Sequence, residues 1–333
     1  MTGISKSTYY YLSNGRKKGK RSTDYTWSVD KLCSNQEVVN EILDIISPEY
    51  LDYGYHTVTV ELRRRNYLIN HKKVYRLMKE NHLLHPVQKR GKDMKKAYVE
   101  MTVPALEGPF VTVEIDIKYI RIHEQNRNAY LLTFLCTFTR FAAVWALEYS
   151  MTANRITVLI NEFINHPLVK LQNPDPNRMN IKIRSDNGPQ FIAKKLADIL
   201  EKVNIKHEFI KPGTPQQNGH IESFHNTVTR LVYSKNIFMN LEHAKNIFTD
   251  FFNTYNYQRM MSVLLYYSPY QFLKLWNNGN VGIILDKYNK EKFFLRKKPT
   301  SEEVSLDLCL LGINKFNSFV NQYYKQKEIS PVL

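Results

Sequence analysis

Between Val111 and Ile122 the apolar residues alternate with polar ones, the period of a strand with one face turned inward. Upstream of this point apolar residues recur at helical spacing, so the chain changes texture here. The polar stretch Glu124–Asn128 reads as a turn. Ala129–Phe138 and Phe141–Leu147 are again strand-like, rich in aromatic and branched residues. Thr152 then caps a helix running to about Asn165, with Ile156, Ile160 and Phe163 on one face. A short strand over Asn180–Arg184, a helix over Ala193–Val203, a strand over Lys206–Ile210 and a longer helix from about Pro215 complete the series. Three meandering strands followed by helix, strand, helix, strand and helix specify a mixed α/β domain.

The residues before this domain have a different character. Met1–Asn14 suggests a turn and a short helix from Ser5, and residues 15–26 a basic, glycine-punctuated linker. From Asn35, Val38, Val39, Ile42, Leu43 and Ile46 share a helical face, and Pro48 ends the element. A second helix is predicted around Val58–Arg65, a turn at Asn66-Tyr67, and a third helix from the N-cap Asn70 to about Asn81. Val74, Leu77 and Met78 point inward on that third helix, while His71, Lys72, Lys73 and Arg76 point outward. Two short helices, the second with exposed basic residues, are what a helix-turn-helix needs to lay a helix in the major groove. Lys72, Lys73 and Arg76 are its candidate DNA contacts. The expected organisation is a basic N-terminal segment (1–30), a helix-turn-helix-like domain (31–85), a basic linker (86–104), the α/β domain (105–278) and a C-terminal extension (279–333). Phe293, Phe294, Leu306, Leu308, Leu310 and Leu311 suggest a small packed unit in that extension.

Charge identifies the kind of partner. Lys and Arg outnumber Asp and Glu by 47 to 31, and residues 1–100 alone hold 19 against 11. Half of the +16 excess therefore lies in the first third of the chain. Neutralising phosphates releases counterions, so double-stranded DNA is the expected partner. Cys33, Cys136 and Cys309 are widely spaced, which suits neither a disulfide framework nor a zinc site and points to a reducing cytoplasm. No apolar run is long enough to span a membrane, and the polar N-terminus shows no signal peptide.

Three acids stand out. Asp116 lies mid-strand between Ile115 and Ile117, where an unpaired carboxylate is costly unless a cation relieves it. Asp186 follows a strand in Ser185-Asp186-Asn187-Gly188-Pro189-Gln190, at the carboxyl end where α/β sheets bind ligands. Glu222 sits in Asn218-Gly219-His220-Ile221-Glu222-Ser223-Phe224-His225, with Asn218, Glu222 and His225 along one helical face.

Strand aspartate, strand-end aspartate in Asp-Asn-Gly, and a helical glutamate 36 positions later together resemble the catalytic core of DDE transposases and retroviral integrases. The resemblance covers roughly residues 110–275 and extends to Asn256-Tyr257-Gln258-Arg259 and Ser268-Pro269. Residues 53–65 and 70–78 resemble the helix-turn-helix of bacterial insertion-sequence transposases. The opening Gly3-Ile4-Ser5-Lys6-Ser7-Thr8-Tyr9-Tyr10 resembles the start of their second-frame (OrfB-type) product. The resemblance implies an RNase H-like core, a mixed five-stranded sheet with flanking helices, preceded by a small all-α helix-turn-helix domain. It implies Asp116, Asp186 and Glu222 holding two Mg²⁺ or Mn²⁺, with Asp116 bridging both. It also implies 3′-end cleavage and strand transfer, action on element ends and target DNA as a homo-oligomer near the nucleoid, and an upstream-frame DNA-binding protein as partner. Asn187, Asn218, His225 and Arg230 become candidate DNA contacts, and His220 a residue that could touch DNA or orient Glu222. Two positions depart from the family pattern: Thr229 stands where Lys or Arg is common seven residues after the glutamate, and Lys118 replaces a small polar residue. The competing readings are a DNA-binding protein derived from a transposase but without catalysis, and a structure-specific nuclease on the same fold.

Overall fold

In the computed structural model the described residues are 23–29, 31–86, 106–175, 179–211, 215–288 and 290–305, and they form two compact units. The expected helix from Ser5, most of the residue 15–26 linker, the linker at 87–105, Cys309 and the leucines from Leu306 onward lie outside the described residues.

The smaller unit begins with a feature the periodicity does not announce. β1 (Tyr25–Ser28) and β2 (Lys31–Ser34) pair antiparallel as a hairpin, so the end of the expected linker is a strand. Four-residue strands are too short to show alternation. Ser34 then caps α1 (Asn35–Ile46): its hydroxyl accepts the Glu37 N–H while the Glu37 carboxylate accepts the Ser34 N–H. Val38, Val39, Ile42 and Ile45 are buried, whereas Leu43 is 43% exposed, so Ile45 takes the inward place expected for Leu43. α2 (Tyr55–Arg64) and α3 (His71–Glu80) follow, with Val58, Leu62, Val74, Leu77 and Met78 completing the core. Asn70 caps α3 through the Lys72 N–H, and Arg65 ties α2 to α1 through Glu41 and Asp44.

The larger unit is built on β3 (Thr112–Ile122). Its odd-numbered residues Val113 and Ile115 enter one apolar core, and Ile120 and Ile122 enter a second on the opposite face. β4 (Arg127–Cys136) pairs antiparallel along nearly all of β3, and β5 (Ala142–Glu148) pairs with β4. After α4 (Ala153–Asn165) and α5 (Pro167–Gln172), β6 (Lys182–Ser185) runs parallel to β3 and meets only Thr112, Val113 and Glu114. α6 (Pro189–Ile192) and α7 (Lys194–Lys202) lead to β7 (Lys206–Phe209), parallel to β6. The order β5-β4-β3-β6-β7 is a mixed five-stranded sheet, the α/β class expected.

One face packs against α4, α5 and α7 through Phe134, Phe163, Ile183, Leu196 and Leu200. A one-turn 3₁₀ segment (Pro215–Asn218) precedes α8 (Gly219–Leu231), which with α9 (Leu241–Tyr257) covers the other face. Phe224, Phe248, Phe251 and Phe252 fill that layer, and Trp145 of β5 stacks on Phe252 at 4.7 Å. α10 (Pro269–Asn277) starts at Ser268, whose hydroxyl caps the Gln271 N–H. The extension then forms a hairpin of β8 (Val281–Leu285) and β9 (Glu291–Leu295), with a single turn of α11 (Ser301–Val304) beyond it. Phe293 packs on Phe138 and Phe272, while Phe294 is 40% exposed, so only the first of the two joins the core. Among the described residues no helix is long and apolar enough to cross a membrane.

Asn256, in the Asn-x-x-Arg element, closes the free edge of the sheet. Its side-chain amide donates to the Ala142 carbonyl and accepts the Ala142 N–H, both at 2.9 Å, and is 6% exposed. Asn256→Leu leaves both backbone groups buried and unpaired, and should lower unfolding stability by about 2–4 kcal/mol in urea titration. A loss below about 0.5 kcal/mol would show that water replaces the amide there.

Candidate active site

Parity decides what faces what. Glu114, Asp116 and Lys118 occupy the β3 face covered by α8, and Asp116 stands opposite the buried Thr133 of β4. Asp116 Oδ1 accepts the Ile117 N–H at 2.8 Å, and its Oδ2 lies 3.4 Å from His225 Nδ1 on α8. Glu222 is on the same helix, three residues before His225. Its carboxyl is held above the usual carboxylate range by burial first, then by the Asp116 charge, with His225 opposing. Asp116 and Glu222, 106 positions apart in sequence, are thus close enough to repel each other.

Asp186 lies just past β6. Glu114↔Arg184 is the last registered pair between β3 and β6, so Asp116 on β3 and Asp186 just past β6 are each two residues beyond it. Asp186 Oδ1 accepts the Gly188 N–H at 3.0 Å, closing the Asp-Asn-Gly turn. A Cβ on Gly188 would meet the Gln190 side chain at 2.5 Å and Asp186 Oδ1 at 3.1 Å, so glycine keeps this carboxylate uncrowded. The structure does not gather Asp186 with the other two acids: among the described residues no three His, Cys, Asp or Glu side chains converge as a metal-holding group.

The other candidates divide. Asn218 and His225 are 3% and 9% exposed, so both are buried within the site and not presented at the surface. Asn187 is exposed, but its amide donates to the Ile210 carbonyl at 2.8 Å and braces the end of β7. Arg230 pairs with Asp52, which also binds Arg259 at 2.7 Å, and Thr229 donates to the His225 carbonyl. On α3, Lys72 is exposed, Lys73 donates to the Tyr25 carbonyl at 2.7 Å and Arg76 stands 4.0 Å from Glu80. His220 is half-buried, and its imidazole is held down to about 3 by desolvation, then by Arg140 and Arg184.

Glu114 escaped the motif reading. It is fully buried, and its Oε2 accepts the Ile221 N–H at 2.7 Å. Its carboxyl is pushed up to about 7, chiefly by burial, against the Ile221 N–H, Arg184, Arg140 and the His220 N–H. Alternation alone could have found it, because Val-Glu-Ile-Asp puts Glu114 on the face of Asp116.

Comparison with known proteins agrees with this architecture. Family models described as integrase core domains match residues 107–215 and 203–269, and one described as an HTH-like domain matches residues 34–91. The 39.2 kDa protein of insertion element IS476 from Xanthomonas euvesicatoria is 27% identical over 66% of this chain and 60% of its own length. The transposase InsK of insertion element IS150 from Escherichia coli is 23% identical over 81% of this chain and 89% of its own. The catalytic domain of Mos1 mariner transposase overlays with a TM-score of 0.36 at 15% identity, over 43% of this chain and 70% of that one. Residues 107–269 thus carry an integrase core domain and residues 34–91 an HTH-like domain, and the chain is similar to proteins of bacterial insertion sequences.

Removing the Asp116 charge takes away one of the two causes that raise Glu222. In Asp116→Asn the Glu222 carboxyl should titrate at lower pH than in the wild type, followed by ¹³C NMR of labelled glutamate. An unchanged or higher midpoint would show that the two carboxyls do not interact.

Proposed function

We propose that this chain carries out 3′-end cleavage and strand transfer for an insertion sequence, with Asp116, Asp186 and Glu222 as the catalytic carboxylates. The observation that carries the reading is the juxtaposition of Asp116 and Glu222, brought together from a central strand and a covering helix within an integrase core. In cleavage, water attacks phosphorus at the element end, the P–O3′ bond breaks, and a 3′-hydroxyl is left on the element. In transfer, that hydroxyl attacks a target phosphodiester, a new P–O3′ bond forms, and the target 3′-oxygen leaves with a proton.

The donor set suits a hard divalent cation such as Mg²⁺ or Mn²⁺. Asp116 and Glu222 offer carboxylate oxygens, and their repulsion is what a cation between them would relieve. Buried polar atoms without a protein partner also collect here: Thr133 Oγ1, Asn218 Oδ1, His225 Nε2 and Glu114 Oε1. Such ions, when bound, supply Lewis acidity at the entering and leaving oxygens. Asp116 and Glu222 would hold one ion between them, and Asp186, which stands apart from them in this arrangement, would have to approach from the end of β6 to hold a second. His225 orients Asp116 through its Nδ1, and Lys118 places a positive charge on the same face. The exposed Lys72 on α3, within the HTH-like segment, fits contact with DNA phosphate. Double-stranded DNA is the substrate class that the basic excess and the three family matches support, with a homo-oligomer as the working form.

Asp116→Asn, Asp186→Asn and Glu222→Gln should each reduce strand transfer by about a thousandfold or more while DNA affinity stays within about threefold. The assay joins a labelled duplex, copied from the DNA flanking the gene, to a plasmid in Mg²⁺ or Mn²⁺. Wild-type joining by any one variant would remove that residue from the catalytic set.

A further inference from the structure

The strongest feature left over is the pair just behind the acids. Glu114 precedes Asp116 by two residues, Arg184 precedes Asp186 by two, and the two are registered neighbours across β3 and β6. Both reach the same short stretch of chain. Glu114 Oε2 takes the Ile221 N–H at 2.7 Å, and Arg184 donates to the Gln217 carbonyl at 3.2 Å. A second guanidinium nitrogen of Arg184 holds Glu208 of β7 at 2.9 Å.

That stretch is the entry to α8, and it lacks a cap of its own. The first N–H groups of a helix have no intrahelical partner, and a residue such as Asn218 normally supplies one. Here Asn218 makes no side-chain cap bond. Glu114 takes that role from the strand beneath, with its carboxyl oxygen at the positive end of the helix. A fully buried carboxyl group is costly unless hydrogen-bonded, and β3 retains one at this position. The bond falls at Ile221, the residue immediately before Glu222, so a small shift of this turn swings the Glu222 side chain.

We propose that Glu114 and Arg184 are positioning residues that clamp the first turn of α8 between β3 and β6, and so set Glu222 against Asp116. The inference rests on the reading of those acids as catalytic. Glu114 fixes the turn through Ile221, Arg184 fixes the 3₁₀ segment ahead of it through Gln217, and Glu208 keeps the guanidinium fork oriented.

Strand-transfer kinetics and amide exchange by NMR test this on the full chain. Glu114→Ala should reduce kcat about ten- to a hundredfold, as misplacement of about 1 Å can, with the KM for DNA within about twofold. Its Ile221 amide should exchange faster than in the wild type. Glu114→Gln keeps an acceptor of the same reach and should restore kcat to within about threefold. Arg184→Lys keeps the charge but loses the fork, and should reduce kcat by about tenfold. A general loss of packing would instead lower kcat, DNA affinity and melting temperature together, with no rescue by Gln. A folded Glu114→Ala with wild-type kcat and Ile221 protection overturns the proposal, as does a Gln variant as impaired as Ala. Should Glu114→Ala fail to fold, wild-type kcat in Arg184→Lys overturns it. Asp116→Asn run in parallel separates the two readings: if it joins DNA, the catalytic assignment falls. If it is dead while the Glu114 and Arg184 variants are unaffected, only the clamp falls.

Discussion

Everything at the candidate site follows from unequal pairing along β3. On one side β4 accompanies it over ten registered pairs, and on the other β6 stays for only three, ending at Glu114↔Arg184. Beyond that pair the parallel strands no longer share hydrogen bonds, and the chain of β6 turns away at Asp186. Asp116 therefore stands on a strand held rigidly from one side, beside a gap opened on the other. Ligands in open α/β sheets bind outside the carboxyl ends of strands for this reason. A sheet fully zipped on both sides of β3 would leave no room there for a phosphate.

The two faces of the sheet then do different work. Residues of one parity merge into a continuous apolar layer with α4, α5 and α7. Residues of the other parity are apolar only at the far end of β3, at Ile120 and Ile122, and charged at Glu114, Asp116 and Lys118. The helix that covers them must be greasy along most of its length and polar at its start. α8 has that composition, with Ile221, Phe224, Val228 and Leu231 buried and Glu222 and His225 meeting the charged end of the strand. Aromatic rings from α9 pack on Phe224, the residue between Glu222 and His225 on the buried side of the turn, so the polar end is anchored by apolar packing beside it.

Much of this is legible in the sequence. Period-two and period-3.6 patterns located the long strands and the helix from Thr152 to Asn165, because those elements are long and half-buried. Asp186 and Glu222 were marked by the Asn-Gly sequences around them, which signal turns and helix starts. What stayed hidden was short or long-range. The hairpin at Tyr25–Ser34 has strands of four residues. Leu43 and Ile45 lie two positions apart in Ile42-Leu43-Asp44-Ile45-Ile46, where helical spacing fits either on the inner face. Asn218 and His225 look like surface polar residues until the sheet buries them. Glu114 is an ordinary glutamate to any local rule, and only its partner 107 residues away gives it a role.

That 107-residue separation also governs when the site can exist. During synthesis β3 and β4 can pair as soon as both have emerged, since their connection is short. The bond from Ile221 to Glu114 must wait for the whole intervening chain. At about 5–20 residues per second, that is roughly 5–20 s of further translation. Closing so long a loop is also entropically costlier than closing a hairpin. The acid from the helix thus joins the acid from the strand among the last events of folding. A truncated or half-made chain carries Asp116 in an otherwise ordinary meander, and the two acids meet only once nearly the whole domain has been built around them.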